Sequence, residues 1–287
     1  MRIAFLGDIH SNHIALKKCY DYIENNRIDE IVYLGDYVSN CAYPQKTMKL
    51  IYDFSEKYKS SFIIGNREQY LLEHHESIGH NANWKYSSNT GSLLYTYENL
   101  KAKDLDFFST LPMIKKFNFD ENITCTVCHS SPNATREALF AKNSNTKKYL
   151  NELDTKYLIC AHTHEQIIYK YNSKIFLNAG SVGVPCSGEV TADFLILDIK
   201  DSVVKTEFIS LNYDAKELLY EYEQSGLNIK GKYWIKALEK QLKTGINYSI
   251  MCINLAEKYA KENEKDIPPF DFKEMYWERA AKDLNIY

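Results

Sequence analysis

A chain of 287 residues that is 45% hydrophobic and 25% charged has the balance of a soluble globular protein, with room for one large domain and an appendage. Its formal charge of -3 gives no general attraction to nucleic acid or to a membrane surface, so any recognition of anions has to be local. No apolar stretch approaches the roughly 20 residues of a membrane span, and seven scattered cysteines do not make a disulfide framework, which fits a reducing cytoplasm.

The N-terminal MRIAFLGDIH reads as a strand running straight into candidate ligands, and not as a secretory or transit leader. Apolar runs then alternate with helical patterns: IAFLG, a helix from about Asn12 to Asn26, EIVYLG, a helix after Pro44, and SFIIG. That order is βαβαβ, the signature of a parallel sheet whose chemistry gathers at the C-terminal strand ends. From Arg67 to about Leu111 the pattern is helical and polar, as expected of a cap (67–111) near the site. Strands return at MIKKFNF and ITCTVCH, then at YLICAH, QIIYKY, KIFLNAG, ADFLILDI and VVKTEFIS, enough for two sheets packed face to face. A principal domain over 1–211 is therefore expected, followed by a helical extension over 212–287 broken by Gly226, Gly231, Gly245 and the pair Pro268, Pro269. In that extension Leu218, Leu219, Tyr222, Ile235, Leu238 and Leu242 recur at helical spacing, the pattern of packing on a core, and the face is also a candidate homo-oligomer contact.

Five short segments stand where apolar runs end: GDIH (Gly7 to His10), GDY (Gly35 to Tyr37), GNRE (Gly65 to Glu68), CHSSP (Cys128 to Pro132) and AHTHE (Ala161 to Glu165). They carry seven oxygen or imidazole donors: Asp8, His10, Asp36, Asn66, His129, His162 and His164. One residue separates Asp8 from His10 and His162 from His164; in extended backbone that spacing puts both side chains on one face, so each pair can reach one metal. With no cysteine in the set, the donors suit Mn, Fe, Zn, Co or Ni better than a thiolate-bound structural zinc. Asp36 is the natural bridge, because a carboxylate can hold two cations roughly 3.5 to 4 Å apart. Two divalent ions against two carboxylates leave about two positive charges, which favours an anionic, phosphorus-centred substrate. His13, His74, His75 and His80 fall outside these segments and read as surface or cap residues, and the lone CxxC of Cys125 and Cys128 reads as part of a strand.

The series GDIH, GDY, GN, VCHSSP and AHTH, followed by LNAGSVGVP, resembles the calcineurin-like metallophosphoesterases, most closely their small prokaryotic phosphodiesterase branch. The likeness covers roughly residues 1–210 and extends to Ser11, Asn12, Ala15, Leu16, Tyr43, Pro44 and Ser130 to Pro132. It implies an α/β fold, a four-layer αββα sandwich of two mixed sheets, here with a helical cap and a C-terminal helical extension. It also implies two divalent transition metal ions, Mn or Fe foremost, with Zn, Co or Ni as alternatives. One would take Asp8, His10, Asp36 and His164, the other Asp36, Asn66, His129 and His162, and a metal-bridging hydroxide would attack phosphorus. Asp36, Asn66, Arg67 and His129 are then the catalytic set, and Gly180, Ser181 and Gly183 a tight turn beneath the site.

Most of that family carries histidine after the Asn of the third motif, where this chain has Arg67. Arginine cannot serve as a general acid but can fork onto a phosphate, so leaving groups that need little protonation are expected. Alternatively Arg67 points into solvent or pairs with Glu68. Arg136, just past the SSP turn, is a second candidate phosphate contact, or a solvated helix-start arginine. Substrates expected are phosphodiesters and dinucleoside polyphosphates such as diadenosine tetraphosphate, with Trp84, Tyr86, Tyr95 and Tyr97 of the cap available to stack on a base. A phosphomonoesterase or phosphoprotein phosphatase is the nearer alternative. A non-catalytic scaffold of the same fold, binding partner proteins, is the more distant one. No membrane and no sequence-specific nucleic acid partner is expected.

Overall fold

The computed structural model describes residues 1–80, 82–120, 123–264, 267 and 271–286; the pair Pro268 and Pro269 lies outside them. The first half alternates β1 (Arg2–Leu6), α1 (His13–Asn25), β2 (Glu30–Tyr33), α2 (Pro44–Ser55) and β3 (Lys59–Phe62), then α3 (Asn66–Ser77), α4 (Gly91–Glu98) and α5 (Ala102–Ser109). It continues with β4 (Ile114–Asp120), β5 (Ile123–Cys128), α6 (Ser144–Glu152), β6 (Tyr157–Cys160), β7 (Gln166–Tyr171), β8 (Lys174–Ala179), β9 (Thr191–Lys200) and β10 (Val203–Asn212). Helices α7 (Lys216–Ser225), α8 (Leu227–Lys230), α9 (Lys232–Thr244), α10 (Tyr248–Asn263) and α11 (Glu274–Asp283) follow.

The strands form two five-stranded mixed sheets, ordered β10-β9-β1-β2-β3 and β4-β5-β6-β8-β7. In the first, β1 pairs in parallel with β2 and β2 with β3, while β9 lies antiparallel to β1. In the second, β5, β6 and β8 run parallel between the antiparallel edges β4 and β7. The parallel strands are the hydrophobic runs that sequence patterning identifies, because each is covered on both faces.

Alternation along the strands sets the layers. Ile3 and Phe5 of β1 point inward with Val127 of β5, Ile159 of β6 and Leu195 of β9, forming the seam between the sheets. Ala4 and Leu6 point outward, under α1, α2 and the C-terminal helices. On the other outer face, α6 covers Cys128, Leu158, Cys160 and Phe176 through Tyr149 and Leu150. Helix, sheet, sheet and helix make the four-layer αββα sandwich. Cys125 lies in the seam and Cys128 on the outer face, the consequence of an odd spacing along a strand, so the CxxC cannot close on one metal. All seven cysteines are free thiols.

Leu218, Tyr222, Ile235, Leu238 and Leu242 join the core over the first sheet, with Leu219 half-buried against it. Helices α9, α10 and α11 enclose a further core around Trp277, Tyr259 and Ala256. Among the described residues, no helix is long and apolar enough to cross a membrane.

Candidate metal centre

All seven donors lie just beyond the C-terminal ends of β1, β2, β3, β5 and β6. The loops after β1 and β2 are laced together: Asp8 donates its backbone N–H to Gly35 (3.1 Å), His10 to Asp36 (2.9 Å) and Ser11 to Tyr37 (3.0 Å). Gly35 has φ +88 and a Cβ there would stand 2.5 Å from Gly65 N, so glycine lets the Asp36 loop press against the start of α3. Asp8, His10, Asp36, His162 and His164 themselves have positive φ, from 50 to 71 degrees. Their backbone is therefore left-handed and not extended, and the pairs do not share a face through the pleat of a strand. The laced loops hold these conformations, each of which costs about 1 kcal/mol or more for a residue with a Cβ.

The side chains meet in two groups that share Asp36. In the first, His164 Nε2 lies 3.3 Å from Asp8 Oδ1 and 3.2 Å from His10 Nε2, and His10 Nε2 lies 3.7 Å from both Asp8 Oδ1 and Asp36 Oδ2. In the second, His129 Nε2 stands 3.6 Å from Asp36 Oδ1, 3.0 Å from Asn66 Oδ1 and 3.2 Å from His162 Nδ1. The two oxygens of Asp36 thus face different groups, while His162 and His164 are divided between them. Asp8 Oδ2 accepts the His162 N–H (2.7 Å), whereas Asp8 Oδ1 is buried with no hydrogen-bond partner among the described residues.

Hydrogen bonds beyond this ring orient the imidazoles. His129 Nδ1 donates to Leu34 O (2.7 Å) and His164 Nδ1 to Val184 O (2.8 Å). A carbonyl only accepts, so each Nδ1 carries the proton and each Nε2 turns its lone pair inward. His10 Nδ1 lies 3.4 Å from Ser39 Oγ and from Asn40 Nδ2. Burial, then the nearby charge of His164, hold the His10 imidazole well below its ordinary range, and burial, then His129, bring His162 down to about 4. Both stay neutral at pH 7, the state a metal ligand needs. Burial by itself would raise Asp8, but His164 above all, then His129 and His10, keep it far below the carboxylate range. For His164, burial would lower the imidazole, but the Asp8 carboxylate outweighs burial and raises it. A buried carboxylate oxygen that faces imidazole nitrogens without a well-formed hydrogen bond, beside four inward imidazole nitrogens, fits a divalent cation better than an empty polar cavity.

Glu68 carries a role that the motif spelling left unread. At the third position of α3 it receives three backbone N–H groups: Asp36 (2.8 Å) and Gly65 (3.0 Å) on Oε2, and Tyr37 (2.9 Å) on Oε1. Its signal was in the sequence, since an acidic residue three places after a helix-entry glycine is a capping pattern. The Arg67–Glu68 pairing considered above does not form. Arg67 donates its backbone N–H to Asp36 Oδ1 (2.8 Å), and its Nε stands 3.7 Å from Asp36 Oδ2. The Arg67 head is mostly covered, not projected into solvent, and lies 6.0 Å from the ring centres of both Tyr70 and Trp234.

Packing bears on the other expectations. Tyr95 is buried in the core and offers no free face to a base, while half-buried Trp84 has one face stacked on His74 at 4.0 Å. Tyr86 is bonded to Glu98, and Tyr97 Oη meets His75 Nδ1 at 2.7 Å. His74 is accordingly a buried cap residue, not a surface one. Arg136 Nη2 donates to both Glu73 carboxylate oxygens (2.8 Å each), and its guanidinium lies 4.1 Å over the Tyr70 ring, on the same face of α3 as Arg67. Gly183 and Ser181 do form a turn beneath the site: Gly183 N–H and Ser181 Oγ both donate to Asp8 O (2.9 and 3.0 Å). A groove of about 590 Å³ between α1 and α2, lined by His13, Lys17, Lys46, Lys49 and Glu217, shares no residue with the site.

Comparison with known proteins gives the fold and the family. An uncharacterized protein of Methanocaldococcus jannaschii is 29% identical over 238 residues, 75% of this chain and 89% of that protein. Among solved structures, a hypothetical protein from Pyrococcus horikoshii superposes with a TM-score of 0.72 at 18% identity, covering 85% of this chain and 98% of its own. A metallophosphoesterase from Sphaerobacter thermophilus does so with a TM-score of 0.66 at 20% identity, covering 86% and 100%. At these identities the two structures establish the fold. The family model of the calcineurin-like phosphoesterase superfamily domain matches residues 1–202, and the chain belongs to that superfamily.

Proposed function

We propose that this chain is a phosphodiesterase dependent on two divalent metal ions. One ion would be held by Asp8, His10, Asp36 and His164, the other by Asp36, Asn66, His129 and His162. The observation that carries the reading is the division of Asp36, with Oδ2 3.7 Å from His10 Nε2 and Oδ1 3.6 Å from His129 Nε2. When bound, the cations, with Mn or Fe foremost, supply charge neutralisation of the phosphate and acidify water for attack on phosphorus.

The chain's own residues do the rest. Arg67 presents a guanidinium beside Asp36, suited to binding nonbridging phosphoryl oxygens and the charge that grows on them in the transition state. It cannot hand a proton to the leaving group at neutral pH. Substrates whose leaving group departs as a stable anion are therefore favoured: aryl diesters, and nucleotides released from a pyrophosphate linkage. Base recognition by Tyr95 is excluded by its burial, and Trp84 already has one face on His74.

A metal-by-substrate panel tests the reading: bis(4-nitrophenyl) phosphate, 4-nitrophenyl phosphate, alkyl esters and diadenosine polyphosphates under Mn, Fe, Co, Zn and Ni. Diester hydrolysis that is metal-dependent and steeply sensitive to leaving-group pKa is expected. Activity confined to monoesters, or alkyl esters cleaved as fast as nitrophenyl esters, would reject it.

A further inference from the structure

Arg67 has an unusual set of supports. Its Nε is buried with no hydrogen-bond partner among the described residues, and Asp36 comes no nearer to Nε than 3.7 Å. Two rings flank the guanidinium instead, each with its centre 6.0 Å from the central carbon. Tyr70 belongs to the same helix, one turn on. Trp234 comes from α9, beyond residue 202, where the match to the superfamily domain stops.

Trp234 is itself fixed to the metal-site loops. Its indole Nε1 donates to Asn40 Oδ1 (3.1 Å), and Asn40 Nδ2 lies 3.4 Å from His10 Nδ1. Gln241, two turns further along α9, donates to Pro185 O (2.8 Å), next to the Val184 carbonyl that orients His164. On the other side the indole meets Trp277 edge-on at 6.3 Å, so the core of the C-terminal helices backs it. With no hydrogen-bond partner for Nε, the arginine head is held by its ion pair with Asp36 and by the two ring quadrupoles, and losing one ring loosens its position.

We propose that Trp234 is a substrate-positioning residue: it holds the Arg67 guanidinium beside Asp36, ready for a phosphate, so that the C-terminal helices complete the site. This rests on the phosphoesterase reading above. The ligand class it serves is a phosphoryl group with two free nonbridging oxygens. The Trp234 indole donates to Asn40 and not to any of the seven donors, so its contribution lies in anion binding and not in metal binding.

The test is calorimetric titration of inorganic phosphate into the manganese-loaded full chain, for wild type, Trp234→Leu, Arg67→Leu and the double variant. Trp234→Leu keeps apolar bulk but removes the ring quadrupole, and is expected to weaken phosphate binding about threefold to tenfold. Manganese affinity, titrated separately, should stay within about twofold, which a general loosening of the site would not allow. In the Arg67→Leu background the Trp234 substitution should have no further effect. Unchanged phosphate affinity in Trp234→Leu, or losses that add in the double variant, would overturn the proposal while leaving the phosphoesterase reading intact. A wild-type protein that binds manganese but no phosphate would overturn both. Should Trp234→Leu not fold, Trp234→Phe takes its place in the cycle: it keeps a ring without the donor to Asn40, and a weakening of about twofold is expected, vanishing without Arg67. A weakening that persists without Arg67 would equally overturn the role.

Discussion

Glu68 holds Asp36 by the backbone and not by the side chain: Oε2 accepts the Asp36 N–H at 2.8 Å, leaving both Asp36 carboxylate oxygens to face the imidazole groups. The same carboxylate serves Tyr37 and Gly65, so three buried donors depend on one side chain. Glu68→Ala strands all three, at about 1 to 3 kcal/mol each before any relaxation. A loss of roughly 3 to 5 kcal/mol in urea denaturation is expected, together with weakened manganese binding. Glu68→Gln, which keeps two acceptor lone pairs on one oxygen only, should fall between. A Glu68→Ala protein within about 1 kcal/mol of wild type would show that the loop needs no such anchor.

Replacing the shared carboxylate should differ in kind from replacing a donor of one group. Asp36→Asn removes a charge that both groups face, so both metal affinities should collapse and turnover fall by about 1,000-fold or more. His129→Ala removes the imidazole whose Nε2 faces Asp36 Oδ1 at 3.6 Å, and Asn66→Ala removes the oxygen 3.0 Å from that same Nε2, so each touches the second group only. They should retain one tightly bound manganese per chain and recover part of their turnover in excess manganese. Metal content after gel filtration checks this; equal stoichiometry in all three variants would contradict the shared role of Asp36.

The order of the elements and the seven donors were legible because each donor follows an apolar run that could only be a buried strand. The way the donors meet was not. Asp8 and His10 converge through left-handed backbone that long-range hydrogen bonds to Gly35 and Asp36 impose, and no local spacing announces those bonds. The cap aromatics misled for a related reason: a ring that stacks on His74, as Trp84 does, and a ring exposed for a ligand have the same spelling. Trp234 lies 194 residues from Asn40, its hydrogen-bond partner, so only the folded molecule could reveal the pairing.

Gly183 sits where the turn after β8 meets the Asp8 loop, and a Cβ there would stand 1.8 Å from Ile9 O. The obstacle is backbone, not the flexible end of a side chain, so it cannot swing aside. Gly183→Ala should cost about 3 kcal/mol or more, and the shift it forces should move Asp8 O from the Gly183 N–H and Ser181 Oγ that now bind it. Gly188 is the control: it has φ +91 but open space around its Cβ position, so Gly188→Ala carries only backbone strain of about 1 kcal/mol. Denaturation midpoints of the two variants separate close approach from conformation. Equal losses would mean that Gly183 is not wedged against Ile9.

His13 gives the fold a pH dependence that is independent of metal. Its Nε2 lies 3.4 Å from Glu221 Oε1 of α7, and its Nδ1 is buried with no partner among the described residues. Burial, then the charge of Lys46 on α2, hold the imidazole down at about 4, with Glu217 and the Ser11 backbone pulling the other way. Because the unfolded chain takes up this proton first, near 6.5, the contribution is fully present above that pH and is lost as pH falls through about 4. Glu221, whose carboxyl burial raises, acts with the opposite sign: its contribution is complete at low pH and declines as pH rises. His13→Asn leaves Glu221 in place, so comparison with wild type isolates the imidazole. Urea denaturation of metal-stripped protein should show wild type losing on the order of 2 kcal/mol more than His13→Asn between pH 7 and pH 4. Parallel losses in the two proteins would place the His13 proton uptake at the same pH folded and unfolded, and the burial of Nδ1 would then carry no electrostatic cost.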